Sequence, residues 1–419
     1  MALVIALTLV LACRAAPSAD EAAARSRRAG PAVPTASTAP AAGSTRAPTS
    51  PDIAPRGGDR RDEATPEPGG TGGTPTTTAP PPVEVTLAFG GDLLTHMPLV
   101  AAAGRYGATA GRPYDFGPMF APLAPVIGDV DLALCHLEVP LVGDGQEITG
   151  YPAFHAPREL ADAVDASGYD GCSTASNHSL DGGRPAITAT LDAFDGLGLG
   201  HVGTARSAEE DLQPRLYDVA GARIAHLSYS YGFNGYPLPT DAPWAADLID
   251  PARIEADAAA ARAAGAQLVV VSVHWGTEYQ SDPDGYQQEL AGRLAFMADV
   301  DLVIGHHAHV VQPIERIGDT WVVFGLGNQL SNQSQPERRD GLTVVVTVGG
   351  PAGGPLDVRT IEAVPTWVDL ATYEVLPAAE TLDRGDLPLA LRTELEGSIA
   401  RTMEVVSRRG AAIPVRAWS

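Results

Sequence analysis

Basic residues are scarce in this sequence, and that shortage narrows the classes of possible partner. Lys and Arg total 28 against 51 Asp and Glu, so the formal net charge of the 419-residue chain is −23. A chain this acidic repels phosphate backbones, which argues against nucleic acid as a partner. It would also repel an anionic polymer at long range, unless bound metal ions reverse the field locally.

Long hydrophobic runs are missing as well. The apolar stretch at residues 1–12 is too short to span a bilayer. It ends in Leu-Val-Leu-Ala before Cys13, which is typical of the signal peptide of a bacterial lipoprotein. We therefore expect residues 1–13 to be a signal peptide with a lipobox cysteine, and the protein to be an extracytoplasmic lipoprotein of the cell envelope, anchored in the membrane through Cys13. The alternative is a cytoplasmic chain with an apolar N-terminus.

Cysteine is rare too, with three in the whole chain. Cys135 and Cys172 lie inside apolar runs, which favours buried free thiols. Export would permit these two to pair if their strands are neighbours.

Residues 14–83 are rich in Pro, Thr, Ala and Gly and show no apolar periodicity. Such a segment cannot bury enough apolar surface to offset the entropy of ordering, which predicts a disordered tether. We place one folded domain at 84–380, and a C-terminal helix and tail at 381–419. The length of the chain is ample for a core of that size.

Apolar, strand-like runs in the folded part repeatedly end in polar residues. These polar ends are Asp92, Glu138, Asn177, His274 and the group His306, His307 and His309. Helix-like segments alternate with the runs, and near-continuous Val, Leu and Ala indicate a sheet covered on both faces. Because ligands bind beyond the carboxyl ends of strands in open α/β sheets, we expect the polar ends to meet in one cleft.

The pattern after Asn328 is different and consists of strands joined by Gly/Pro turns. The predicted strands lie at 342–348, 358–364 and 371–375, within the segment 340–376. Such spacing favours antiparallel pairing, and we place these strands in a second sheet of the same domain. Residues 389–406 are predicted to form a closing helix.

The side chains of the predicted cleft suit divalent ions such as Zn²⁺, Mn²⁺ or Fe²⁺, which accept carboxylate and imidazole ligands. One carboxylate between two histidine-rich half-sites could bridge two ions about 3.5–4 Å apart. His178, next to Asn177, is then a candidate catalytic general acid, and Asp181 is positioned in the sequence to orient its ring.

Six short motifs occur in order between residues 85 and 328. They are Phe89-Gly90-Gly91-Asp92, His136-Leu137-Glu138, Ala175-Ser176-Asn177-His178-Ser179-Leu180-Asp181, His274-Trp275-Gly276-Thr277-Glu278-Tyr279, Gly305-His306-His307-Ala308-His309-Val310-Val311-Gln312-Pro313 and Leu326-Gly327-Asn328. This series resembles the CapA family, the capsule-synthesis proteins linked to poly-γ-glutamate, whose domain is similar to calcineurin-like metallophosphoesterases. The resemblance implies an α/β fold, a β-sandwich of two mixed sheets flanked by helices.

The resemblance also implies a site for two divalent transition-metal ions (Mn, Fe or Zn). Asp92 and His309 would hold one ion, Asn177, His274 and His307 the other, Glu138 would bridge them, and His178 would act as general acid. The histidine that normally follows the first Asp by two residues is Leu94 here, and His96 is the candidate replacement. His136 and Ser176 replace asparagines of the family pattern, which changes the surroundings of the ligands rather than the ligands.

Residues beside the motifs are weaker candidates. His306 would face away from His307 and His309 if the strand continues, which favours a supporting role. The candidate substrate-binding residues are Tyr151, Phe154, His155, Arg206, Glu278, Tyr279 and Asn328. The alternative for each is ordinary packing or a solvated loop, and for any single histidine it is a core imidazole hydrogen-bonded to a carbonyl.

Two functional hypotheses follow. In the first, an exported, lipid-tethered, metal-dependent hydrolase cuts phosphoester-like or related bonds during biosynthesis of a cell-surface polymer of the poly-γ-glutamate type. In the second, the same domain is a non-hydrolytic component of a polymer synthesis and export complex, where metal organises the cleft. The partners expected are an anionic polymer or phosphoester-type substrate, the membrane and a capsule synthesis complex.

Overall fold

The computed structural model describes residues 81–416. The predicted signal peptide at 1–13, the lipobox Cys13 and the predicted tether up to residue 80 lie outside the described residues. Those assignments stay predictions.

Strands alternate with helices along most of the described chain. The strands are β1 (Val83–Leu93), β2 (Leu132–Leu137), β3 (Gly171–Ser173), β4 (Gly200–Val202), β5 (Arg215–Val219), β6 (Ala222–Ser230), β7 (Leu268–His274), β8 (Leu302–His306), β9 (Ile314–Ile317), β10 (Thr320–Val323), β11 (Asn328–Leu330), β12 (Asp340–Gly350), β13 (Asp357–Val368) and β14 (Val375–Pro377). The helices are α1 (Met97–Ala110), α2 (Gly117–Phe120), α3 (Ala124–Ile127), α4 (Glu159–Ala166), α5 (Gly183–Leu197), α6 (Ala208–Asp211), α7 (Pro251–Ala263), α8 (Gly285–Ala295), α9 (Pro336–Arg339), α10 (Ala378–Asp383) and α11 (Leu389–Val406).

Local capping chemistry sets where helices α7 and α8 begin. The Asp250 side chain accepts a hydrogen bond from the Ala252 N–H, and Pro251 occupies the first turn of α7. Asp284 and Gln287 form a reciprocal capping box at the start of α8. Loss of such a cap costs about 0.5–2 kcal/mol of stability, so these residues hold the helix starts in place.

The strands form two mixed sheets. The first has the order β14-β13-β12-β1-β2-β3-β4, with β11 pairing the end of β1. In it β1 to β4 run parallel, and the C-terminal strands join antiparallel. The second has the order β5-β6-β7-β8-β10-β9, parallel in the middle and antiparallel at both edges.

An apolar layer between the two sheets is built from alternate residues of each strand. Leu87 and Leu134 of the first sheet pack in one cluster with Val270 and Ile304 of the second. Full burial of one such side chain contributes about 1.5–3 kcal/mol. Helices α1 to α5 cover the outer face of the first sheet, and α7 and α8 cover that of the second. The predicted fold class, a β-sandwich of two mixed sheets flanked by helices, is confirmed.

The placement of the C-terminal strands corrects the prediction that they form a second sheet. They do pair antiparallel, as expected, but β12 lies along β1, from Val83 opposite Gly350 to Phe89 opposite Val344. They therefore extend the first sheet, and the second sheet comes from the middle of the chain. Strand patterns show which residues are extended, whereas the neighbour of each strand is set by long-range pairing.

Cys135 and Cys172 form a disulfide, which corrects the expectation of free thiols. The two residues lie directly opposite each other on the parallel strands β2 and β3, with Cα atoms 4.4 Å apart. The sequence left pairing open on the condition that the strands are neighbours, and the sheet order meets that condition.

Helix α11 (Leu389–Val406) coincides with the predicted closing helix. Its Leu395 packs in one cluster with Trp367 and Leu376 of the first sheet. Between residues 81 and 416, no helix combines the length and the apolar character needed to cross a membrane.

Candidate metal centre

The inner faces of several strands turn from apolar to polar at their carboxyl ends. Side chains two residues apart share one face of a strand, so His136 continues the line of Leu134, and His306 that of Ile304. We call the resulting set the buried polar layer; its members are His136, Ser173, His226, Ser272, His274 and His306, each at most 2% exposed. This layer lies directly behind the cleft.

Two glycines let the backbone close tightly around this edge. A Cβ on Gly91 would lie 2.3 Å from the Gly327 carbonyl oxygen, and one on Gly305 would lie 1.9 Å from that of Phe324. Both distances are too short for any residue that has a Cβ atom. Glycine at these two positions therefore lets the Gly-Gly-Asp and Gly-His motifs lie directly against neighbouring backbone.

Asp92 lies near the end of β1 and is fully buried. Its carboxylate is 3.3 Å from His306 Nδ1 and 3.2 Å from His309 Nδ1, and it accepts a hydrogen bond from the His307 N–H at 3.2 Å. Burial raises the pKa of Asp92, but hydrogen bonds from His306 and His309 outweigh burial and lower it overall. Asp92 is therefore an anion available to a cation.

Glu138 follows β2 and is 1% exposed; neither of its carboxylate oxygens accepts a hydrogen bond, and Oε1 forms an ion pair with His309 Nε2 at 3.5 Å. Burial raises its pKa well above the usual range. Burial lowers the pKa of His309, but Glu138 and Asp92 outweigh that effect and raise it to about 10. A buried carboxylate without hydrogen bonds is costly unless a proton or a cation compensates its charge, so this position suits a metal ion.

Neutral groups line the opposite side of the cleft. His274 Nε2 lies 3.0 Å from Asn177 Oδ1, so the two atoms are close enough for both residues to hold the same ion. Burial lowers the pKa of His274, and it lowers that of His307 to about 3. Both imidazoles are therefore neutral near pH 7, which is the form that binds metal.

His307 and His309 both adopt left-handed backbone conformations, with φ of 89° and 56°. Each such residue other than glycine costs on the order of 1–3 kcal/mol and persists only where its surroundings hold it. The tight turn aims both imidazoles at the cleft, and His307 Nδ1 is buried with no hydrogen-bond partner.

Four groups of side chains each bring one potential ligand atom per residue within 4.8 Å of one another. Among the described residues, these groups are Asp92-His136-His306, Glu138-His274-His307, Glu278-His307-His309 and Asp92-Glu138-His309. The arrangement is compatible with divalent metal binding. It brings together all of the predicted carboxylate and imidazole ligands except His96, and Asn177 joins them through His274.

His178 and Asp181 form a close pair at this site. His178 Nδ1 lies 2.7 Å from Asp181 Oδ2, which also accepts the Phe154 N–H at 2.7 Å. The Phe154 ring packs edge-on against the imidazole, with centroids 4.7 Å apart. Asp181 and Phe154 thus hold the ring of His178, which leaves Nε2 as the nitrogen available for proton transfer.

His96 occupies the N-cap position of helix α1, without a capping hydrogen bond from its side chain, and belongs to none of the ligand groups of the described residues. Its Nδ1 lies 3.1 Å from the Leu94 carbonyl oxygen, and its ring packs edge-on against Phe154 at 5.3 Å. Burial lowers its pKa to about 4. The prediction that His96 replaces the missing ligand gains no support from this geometry.

Arg206 lies in an ion-pair network and not in the cleft. Its guanidinium contacts Asp192 at 2.6 Å, Asp195 at 2.7 Å, and Glu210. Glu210 and the other two carboxylates raise its pKa further, so it stays charged and satisfied where it is. The prediction that Arg206 binds an anion gains no support from this geometry.

Three of the other substrate-binding candidates surround His309. Glu278 shares a potential ligand group with it, the Tyr279 ring centroid lies 5.9 Å away, and Asn328 Oδ1 lies 3.0 Å from His309 Nδ1. Asn328 therefore competes with Asp92 for the same imidazole nitrogen.

The remaining candidates lie on the His178 side. Phe154 is 1% exposed and packs against both His96 and His178. His155 turns away, with Nδ1 3.0 Å from the Glu147 carbonyl oxygen. Tyr151 is 57% exposed and presents its ring to solvent.

Asn234 and Tyr231 border the site although neither was among the sequence-based predictions. Asn177 Nδ2 donates to Asn234 Oδ1 at 3.3 Å, and Asn234 Nδ2 lies 3.3 Å from His178 Nδ1. The Tyr231 ring centroid is 4.7 Å from that of His307. Tyr231 directly follows the apolar strand β6, so the rule of polar strand ends would have found it, whereas Asn234 lies further along the loop after that strand.

Comparison with known proteins agrees with the sequence motifs. The family model PGA_cap, described as bacterial capsule synthesis protein, matches residues 86–333, more than half of the chain. The PGA biosynthesis protein CapA of Bacillus subtilis is 31% identical over 199 residues, covering 45% of this chain and 50% of the relative. The capsule biosynthesis protein CapA of Bacillus anthracis is 25% identical over 268 residues, covering 62% and 63%. The chain thus spans between half and two thirds of the length of these relatives.

The solved structures that this chain is similar to include a 5'-nucleotidase precursor and a calcineurin-like phosphoesterase. A 5'-nucleotidase precursor from Thermus thermophilus is 14% identical, with a TM-score of 0.41, covering 77% of this chain and 59% of that chain. The calcineurin-like phosphoesterase YfkN from Bacillus subtilis is 12% identical, with a TM-score of 0.41, covering 77% and 99%.

Proposed function

This chain belongs to the PGA_cap family of bacterial capsule synthesis proteins, and on that premise we propose that it is a metal-dependent hydrolase in cell-surface polymer biosynthesis. Its substrates would carry phosphoester-like or related bonds and belong to a polymer pathway of the poly-γ-glutamate type. The names of the relatives, which refer to PGA and capsule biosynthesis, support the polymer class.

Glu138 is the observation that carries the hydrolase proposal. Its two oxygens, which accept no hydrogen bond, lie in potential ligand groups with His274 and His307 on one side and with Asp92 and His309 on the other. A structural carboxylate buried this deeply would accept hydrogen bonds, whereas Glu138 accepts none and faces His309 Nε2 at 3.5 Å. The arrangement supports a centre of two divalent transition-metal ions that share Glu138.

The residues divide the chemistry between them. Asp92 and His309 would hold one ion, and Asn177, His274 and His307 the other. When bound, such ions supply Lewis-acid chemistry that activates water and stabilises negative charge on a tetrahedral oxyanion. His178 would donate a proton from Nε2 to the leaving group, while Asp181 keeps its ring oriented.

The test uses the full chain, stripped with chelator and reloaded with Mn²⁺. Metal content and turnover of bis-p-nitrophenyl phosphate are measured for wild type and for His178→Ala. We expect about two ions per chain in both proteins and a loss of roughly 10²–10⁴-fold in kcat for the variant.

His201→Ala is the matched control, since His201 also faces a carboxylate, Asp195 Oδ1 at 3.1 Å, but lies outside the cleft. It should retain wild-type turnover. A wild-type protein that binds no metal, or a His178→Ala variant with full turnover, would contradict the proposal.

A non-hydrolytic role is the second candidate, because the relatives' names describe synthesis and not hydrolysis. In that case the metal ions would organise a cleft that binds an anionic polymer within a synthesis complex. Metal binding together with the absence of any turnover would favour this role.

We further propose that the protein works in the cell envelope, attached to the membrane through Cys13. Mass spectrometry of the mature protein tests this, since an acylated N-terminal Cys13 is expected. A mature protein that begins at Met1 would overturn the proposed anchor.

A further inference from the structure

Behind the cleft, four side chains form a continuous hydrogen-bonded line. His274 Nε2 lies 3.0 Å from Asn177 Oδ1, and His274 Nδ1 lies 3.0 Å from His136 Nε2. His136 Nδ1 lies 2.8 Å from Ser173 Oγ, which in turn lies 3.3 Å from the Cys135 carbonyl oxygen. The four side chains are at most 4% exposed, so water does not compete for the hydrogen bonds along the line.

The chemistry of imidazole restricts how hydrogens are arranged along this line. A neutral imidazole has one donor nitrogen and one acceptor nitrogen. A ring that accepts a hydrogen bond on one side must therefore donate on the other, so all hydrogen bonds along the line point the same way. A hydroxyl group can turn, so Ser173 can end the line either way. The heavy-atom distances fit two arrangements that run in opposite directions.

We propose that His136 and Ser173 form a tautomer relay, whose hydrogen bonds reverse when His274 gives its Nε2 lone pair to a metal ion. His136 and Ser173 are positioning residues in this relay, because they act on the metal through His274. The inference rests on the proposed metal centre, and it gives a role to two residues outside the ligand sets proposed for the two ions, one of which, His136, also lies in the potential group with Asp92 and His306.

In the metal-free direction, His274 Nε2–H donates to Asn177 Oδ1. His136 Nε2–H then donates to His274 Nδ1, and the Ser173 hydroxyl donates to His136 Nδ1. Every nitrogen of the two rings then has a hydrogen-bond partner, so neither His274 nor His136 carries an unsatisfied buried nitrogen when no metal is bound.

In the metal-bound direction, the hydrogen on His274 has to lie on Nδ1, where His136 Nε2 accepts it. His136 Nδ1–H then donates to Ser173 Oγ, and the hydroxyl turns to the Cys135 carbonyl oxygen. Both arrangements contain three mobile hydrogens, so the reversal needs exchange with water but no net uptake of protons.

The surroundings hold the rings while the hydrogens move. The His306 ring stacks on His136 with centroids 4.0 Å apart and an interplanar angle of 14°. Because this stack opposes rotation of the His136 ring, tautomer exchange is the available response to metal. A hydrogen-bond partner behind a ligating histidine is commonly worth about 10–100-fold in metal affinity.

Nitrogen NMR of the full chain, labelled with ¹⁵N-histidine, tests the reversal directly. The probe is Zn²⁺, added to chelator-treated protein. We expect His136 and His274 both to carry hydrogen on Nε2 without Zn²⁺ and on Nδ1 with it. A His136 tautomer that stays the same while Zn²⁺ binds would overturn the relay.

Calorimetric titration with Zn²⁺ then compares three variants. His136→Leu removes the acceptor behind His274 and should weaken one binding event about 10–100-fold, whereas His136→Gln supplies an amide oxygen and should restore most of the loss. His226→Leu is the matched control, because His226 is equally buried but faces Ser272 Oγ at 2.9 Å.

The outcomes separate this inference from the proposed function. A wild-type chain that binds no Zn²⁺ would contradict the metal centre itself. Wild-type binding combined with equal affinity in His136→Leu, or an equal loss in His226→Leu, would contradict the relay alone. If His136→Leu fails to fold, as shown by thermal unfolding, the wild-type NMR result still decides.

Discussion

The proposed metal centre has two halves: the Asp92 half, with Asp92 and His309, is built from charged groups, whereas the His274 half, with Asn177, His274 and His307, is built from neutral groups. In the first half, the Asp92 and Glu138 carboxylates raise the pKa of His309 to about 10, so a proton occupies the site near neutral pH. In the second half, burial lowers the pKa of His274 and of His307, and the line through His136 satisfies His274 instead.

This difference indicates that, without metal, a proton compensates the buried charge of the first half, whereas hydrogen bonds satisfy the neutral groups of the second. The first half has to release a proton when metal binds, since a ligating histidine must be neutral. The second half needs only a rearrangement of hydrogens.

Removing the disulfide that connects the two halves is expected to have the largest effect. The Cys135–Cys172 disulfide joins β2, which leads to Glu138, to β3, which leads to Asn177, across a separation of 37 residues. Replacing both cysteines by alanine should lower the free energy of unfolding by about 3–4 kcal/mol. Urea unfolding of the metal-free chain measures this, and an unchanged midpoint would show that sheet pairing alone fixes the two halves.

Glu138→Gln should affect both halves together. The amide keeps the shape of the side chain but removes the shared charge, so both binding events for Mn²⁺ should weaken by at least about 100-fold. Glu278→Gln is the control, since Glu278 shares a ligand group only with His307 and His309. Loss of only one binding event in Glu138→Gln would contradict the bridging role.

Metal affinity should depend on pH differently in the two halves. Because the pKa of His309 is raised to about 10, metal binding at pH 6–8 displaces its proton, and affinity should rise about tenfold per pH unit. The pKa of His307 lies near 3, so no proton has to leave this imidazole, and the second binding event should depend less steeply on pH than the first. Mn²⁺ titrations at pH 6, 7 and 8 measure both; two events with equal slopes would contradict the comparison.

His96→Ala should have the smallest effect. His96 Nδ1 faces the Leu94 carbonyl oxygen, and His96 lies outside the potential ligand groups of the described residues. Mn²⁺ affinity should therefore change by less than about threefold, well under the 10–100-fold typical of a ligand's partner. A loss above tenfold would restore His96 as a ligand of the Asp92 half.

Much of the site was predictable because its residues end apolar strands. Asp92, Glu138, Asn177, His274 and His307 all follow this rule, and they lie together in the structure. The orientation predicted for His306 also follows from alternation, since two-residue periodicity places it on the inner face with Ile304.

Other parts depended on contacts that no local pattern records. Arg206 was a candidate anion-binding residue, but its charge is compensated by the carboxylates of Asp192, Asp195 and Glu210. Asn234 reaches the site through a loop whose direction is set by packing.

The sequence by itself determined the kinds of ligand, their positions at strand ends and the alternation that sends each side chain inward or outward. Only the tertiary structure decided which strands are neighbours. That choice paired Cys135 with Cys172, moved the C-terminal strands into the first sheet, and aligned Ser173, His136 and His274 in one line. The physical reason is that periodicity fixes the face of a strand, whereas strand order and register result from pairing between segments far apart in the chain.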